Sequence, residues 1–159
     1  MRAHEVIKNM RILLISIFTL LSPFTFAQNQ DSTRQKDIQL IKKFIADLGN
    51  ENIAVDVILS QYIKVDHPSN ETYDYLEVSL EEVRINVLYK HIADITYIPY
   101  ANMPRKEIRD IDPEELDINR MYFLQYKKRQ VLAVYIEKDK IASFTLVSKG
   151  NNLAHFVTY

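Results

Sequence analysis

The sequence has no cysteine, no tryptophan and only two glycines, Gly49 and Gly150. Without cysteine there are neither disulfides nor thiolate metal sites, and a lipid anchor on a cysteine is excluded. Two isolated glycines cannot build a phosphate-cradling loop, which needs several adjoining positions free of a Cβ. The HExxH, GxSxG, Walker, dinucleotide-binding and EF-hand patterns are missing as well. So is an excess of one charge: 20 basic against 21 acidic groups leave −1. Nucleic acid demands a clustered basic surface, so it is not expected as a partner. No cofactor and no metal are expected either.

What is present begins with a leader-like N-terminus. Arg2, Lys8 and Arg11 precede an apolar run from Ile12, and Thr25-Phe26-Ala27 forms a small-x-small site before Gln28. The run is shorter than the ~20 apolar residues that span a bilayer. We therefore expect residues 1–27 to be a signal peptide, removed on export, leaving no stable membrane anchor. The expected location is a bacterial periplasm or the exterior. Removal takes Arg2, Lys8, Arg11 and Glu5 with it and leaves 17 basic and 20 acidic groups on 132 residues. That is enough chain for one domain, 35–159, preceded by a flexible polar lead-in at 28–34.

Apolar spacing then predicts helices. Ile38, Ile41, Phe44, Ile45 and Leu48 share a stripe, and Gly49 is expected in left-handed conformation at its end. A shorter helix is expected from about Asp56, carrying Val57, Ile58, Tyr62 and Ile63. Ser79-Leu80-Glu81-Glu82 has the form of a capping box and predicts the start of a third. Its apolar face would be Leu80, Val83, Val87, Leu88, His91 and Ile92. Asp112-Pro113-Glu114-Glu115 predicts one more short helix.

The last forty residues alternate apolar and polar side chains in four segments: Asn119–Tyr126, Gln130–Glu137, Lys140–Ser148 and Asn151–Tyr159. An antiparallel meander is expected, with Leu132, Val134, Ile136, Ala142, Phe144, Leu146, Ala154 and Phe156 facing the helices. The opposite face, with Ile141 and Tyr135, is also apolar, so self-association through the sheet is expected to cover it. The fold class is α+β, three N-terminal helices packed on a curved, mostly antiparallel sheet.

Three stretches carry a resemblance: Ile38–Gly49, the segment Val57-Ile58-Leu59-Ser60-Gln61-Tyr62-Ile63, and Lys140-Ile141-Ala142-Ser143-Phe144 leading to Phe156-Val157. Their order resembles the NTF2-like (cystatin-like superfold) α+β cone over most of residues 35–159. Members of that family include small isomerases, dehydratases, polyketide cyclases and transport adaptors. The resemblance implies a ligand in the cone and a homodimer through the outer sheet face. Its catalytic Asp or His pair has no matching position here, so no catalytic residue is assigned.

The expected function is binding of a small molecule or an envelope protein, with Tyr62, His91, Tyr122, Tyr126 and Phe144 facing the ligand. The alternative is a cofactor-free isomerase or hydrolase with His91 as base. All ten tyrosines lie beyond the leader, and a ring with a polar tip suits a half-wet binding surface. His155 is expected at an interface and His67 in solvent. The acidic run from Glu107 to Asp117, interleaved with arginines, is expected as a solvated, salt-bridged surface.

Overall fold

The computed structural model describes residues 22–159, with side chains from Gln30 onward. Most of the expected leader therefore lies outside the described residues. The helices are α1 (Ser22–Leu48), α2 (Val55–Tyr62), α3 (Asn70–Leu88) and the single turn α4 (Arg105–Ile108). The strands are β1 (Thr96–Pro99), β2 (Met121–Tyr126), β3 (Arg129–Glu137), β4 (Lys140–Ser143), β5 (Leu146–Gly150) and β6 (Leu153–Phe156). The class is α+β. Strands β1 to β4 form an antiparallel sheet in chain order, and β5 and β6 pair separately. Two compact units are distinguished, Met1–Gln35 and Lys36–Tyr159. In the first, Arg34 lies 3.5 Å from Asp31, one turn back. Residues 28–34, expected as a flexible lead-in, are helical. Among the described residues no helix is long and apolar enough to cross a membrane.

The α1 stripe behaves as its spacing demands, with Ile41, Phe44, Ile45 and Leu48 buried. Gly49 follows, but not in the left-handed conformation expected of it. Its backbone is ordinary, and a Cβ there would lie 2.8 Å from Ile92 Cδ1. No positive φ calls for glycine at this point, and a Cβ would require only the tip of the Ile92 side chain to move.

The start of α3 differs from expectation by ten residues. Ser69 is the cap, accepting a hydrogen bond from Thr72 N–H at 3.0 Å. Ser79-Leu80-Glu81-Glu82 lies inside the helix, with Leu80 wholly buried. Leu76, Leu80 and Val87 extend one stripe through the apparent capping box, and that continuous burial overrides the local pattern. Arg84 shares this buried face. Its Nε donates to Leu48 O at 3.1 Å and its Nη2 to Ile53 O at 2.6 Å. An arginine thus satisfies a carbonyl that the end of α1 leaves orphaned.

Strand β2 pairs with β3 through Tyr122↔Val134 and Phe123↔Ala133. The expected strand Lys140–Ser148 is broken in two. Ser143 Oγ accepts from Thr145 N–H at 3.3 Å, and Phe144 N–H donates to Tyr159 Oη at 3.2 Å. With those amide protons given to side-chain oxygens, the ladder stops at Ser143 and the chain turns away. A register shift between Tyr135 and Ile136 also slips β4 by one residue. Ile141 consequently faces the helices and Ala142 the other side, the reverse of the simple alternation.

Each face of the sheet has its own core. Tyr122, Leu124, Leu132, Val134, Ile136, Ile141 and Phe144 pack with the helices. Met121, Phe123, Ala133, Tyr135 and Ala142 pack with Met103 and Phe156, and with Tyr100, Ile108, Ile111, Leu116 and Leu146 around them. The second apolar face, from which sheet self-association was expected, is therefore covered by this chain's own 98–116 segment and β5–β6 hairpin. Phe156 belongs to that outer core, not the inner one as expected. The helix expected at Asp112-Pro113 is absent. Asp112 N–H instead bonds Ala154 O at 2.8 Å, and Glu114 takes a positive φ of 53°.

Candidate functional site

Three of the five expected ligand contacts are core residues. Tyr62 is buried, and its hydroxyl donates to Asp47 Oδ2 while receiving Gln61 Nε2 at 3.0 Å. Burial first, then the Asp47 carboxylate, pushes its pKa up to about 12. Tyr122 is wholly buried, and the Phe144 ring meets that of Tyr159 at a 54° tilt with centres 5.2 Å apart. The three lie in one packed cluster.

His91 is not on the apolar face of α3. The helix ends at Leu88, and His91 follows in the loop with its side chain 73% exposed, Nδ1 standing 3.5 Å from Asp94. That geometry lends no support to a base buried in a cone.

Tyr126 lines a groove. It closes β2 where Lys127 and Lys128, with φ of 51° and 64°, form a two-residue turn into Arg129. The end of α3 approaches from the side with Lys90. Lys90, Tyr126, Lys127, Arg129, Gln130 and Val131 surround a cavity of about 550 Å³. Lys127 Nζ lies 5.1 Å from the Tyr126 ring centre, within cation–π range. Lys90 Nζ donates to Asn86 O, which steers its ammonium along α3. Tyr126 and Val131 rest on the inner core. Three cations, an aromatic ring and an aliphatic wall thus converge with no carboxylate among the lining residues.

Two further polar clusters emerge. Asp37, on the buried side of α1, is 2% exposed. Its Oδ2 accepts Tyr122 Oη–H at 2.8 Å and lies 2.8 Å from Arg120 Nε, an ion-pair contact off the line of a hydrogen bond. Burial raises the Asp37 pKa, against the pull of Tyr122 and Arg120. On the far side, Lys149 Nζ sits 2.7 Å from Asp112 and 2.8 Å from Glu114, and His155 Nδ1 lies 3.0 Å from Glu114. There Lys149, through its hydrogen bonds, holds both carboxyls below their usual range. The acidic run is salt-bridged as expected, with Lys149 supplying the main counter-charge. Among the described residues no such cluster is arranged to hold a metal ion.

Sequence reasoning missed Asp37, Arg120, Lys90 and Arg129. Asp37 was detectable, since it stands four residues before Ile41 on the buried stripe. The groove was not, because it needs α3 and the β2–β3 turn brought together. Comparison with protein-family models, with curated proteins and with solved structures finds no match.

Proposed function

We propose that this chain is a non-enzymatic binding module, and that its ligand is a small organic anion held in the groove between α3 and the β2–β3 turn. The convergence of Lys90, Lys127 and Arg129 around the Tyr126 ring, without a carboxylate beside them, carries this reading. A cavity of about 550 Å³ is within the usual range for small-molecule sites. Arg129 offers a planar fork for a carboxylate or phosphate, while Tyr126 and Val131 take the apolar part of the ligand. In this reading the module works after export, as the basic, apolar and small-x-small order of residues 1–27 indicates. Kinship with NTF2-like cones is part of the same proposal. It is supported by a long, a short and a third helix preceding antiparallel strands whose inner face packs on them.

Isothermal titration with an anilinonaphthalene sulfonate and with citrate tests the reading. Binding weakened at least tenfold by Arg129→Ala, and weakened again by raised salt, is the expected result. Unchanged affinity in Lys127→Ala, Arg129→Ala and Tyr126→Ala would remove the groove as the site.

A further inference from the structure

The outward side of α3 carries a second apolar stripe, opposite the buried one. Tyr75, Val78, Ile85 and Tyr89 are 51%, 62%, 57% and 86% exposed. Their spacings of three, seven and four keep all four on one side of a 3.6-residue helix, with Tyr89 at its C-cap. Four large apolar side chains in line on an otherwise charged helix are not accounted for by scattered surface exposure.

The order of the stripe names its occupant. Read backwards, the spacings are four, seven and three. An antiparallel copy centred on Glu82 sets Tyr75 against Tyr89 and Tyr89 against Tyr75, and brings Val78 to within one residue, about 1.5 Å along the axis, of the level of Ile85. A two-fold interface must be self-complementary in just this way. Charge agrees with it. The early turns of α3 carry Glu71 and Asp74 on or beside this stripe, while the far end meets Lys90, Lys127 and Arg129. Antiparallel pairing lays the acidic end of each helix beside the cationic end of the other and opposes the helix dipoles favourably. A groove of about 400 Å³ lies beside Tyr75, with His67, Thr72, Val157 and Tyr159 among its walls. It stands where the partner's most exposed ring would arrive.

We infer that the exposed face of α3 is a docking surface for a second copy of this chain, with the two helices antiparallel and Tyr89 of each seated beside Tyr75 of the other. Two Glu82 carboxylates face each other near the axis and weaken the pair.

The absence of cysteine makes the test clean. In the full chain, Glu82→Cys sits at the axis and is expected to form a covalent dimer on mild oxidation. Glu77→Cys, on another side of α3, is expected to stay largely uncoupled. Sedimentation from a few to a few hundred micromolar is expected to show a monomer–dimer equilibrium. It should tighten severalfold in Glu82→Gln and be lost in Ile85→Asp/Tyr89→Asp, whose circular dichroism should match the parent. Equal coupling at positions 77 and 82 overturns the inference. So does a parent monomeric throughout, or a dimer indifferent to Ile85→Asp/Tyr89→Asp. Anion binding in Tyr126→Ala, which leaves the α3 stripe and its facing charges in place, reads out the groove separately.

Discussion

Two clusters in this molecule are made of the same chemistry and behave in opposite ways. Asp37 with Arg120 and Tyr122 is buried between α1 and β2, whereas Asp112 and Glu114 with Lys149 and His155 lie at the surface beside the β5–β6 hairpin. In the first, loss of water outweighs the cation and the Asp37 carboxyl is raised. In the second, water remains and Lys149 decides, so both carboxyls fall. A carboxylate beside a cation is therefore not one kind of interaction. Its sign depends on how much solvent stays.

The largest effect expected from breaking this contrast is Asp37→Ala. It leaves Arg120 and the Tyr122 hydroxyl without their shared carboxylate, and should cost roughly 2–3 kcal/mol in urea unfolding. An intermediate test is titration of the carboxyls by NMR. Asp37 should titrate above its ordinary 3.8, and Asp112 and Glu114 below 3.8 and 4.5. The signs for stability follow. A raised carboxyl makes the folded state hold an extra proton, so its contribution declines as pH rises from 3.8 through the folded value. The lowered carboxyls stabilise above their ordinary values, and that contribution is lost as pH falls through the folded ones. Equal midpoints at the two sites would erase the contrast. The smallest effect is Lys149→Ala, which should return Asp112 and Glu114 toward ordinary titration while leaving the urea midpoint almost unmoved.

The same division explains how much was legible in the sequence. Periodicity located α1, α2 and the strands on which Leu132, Val134 and Ile136 face inward, because one buried stripe or face decides them. It failed at Ser79, where a local capping pattern lay inside a longer buried stripe. It failed again at Ser143–Thr145, where side-chain oxygens capture amides that alternation assigns to a ladder. The sheet's outer face read as unpartnered because the irregular 98–116 segment that covers it has no period to detect. Tyr126 was expected to face a ligand and lines a groove, but its cationic neighbours come from the residues just beyond α3, from the β2–β3 turn and from β3. Their meeting is a property of the packing.

The β2–β3 turn has a consequence for how this molecule can change. Lys127 and Lys128 both hold left-handed backbone, a conformation that costs an ordinary side chain about 1–2 kcal/mol and glycine almost nothing. The turn is therefore strained at the point where it presents charge to the groove. Substitution by asparagine and glycine would relax it and strip out the Lys127 cation in the same step. In a population selected only for heat resistance, this rim is one of the places where variants would accumulate, and the proposed anion affinity would drift away while the fold grew sturdier.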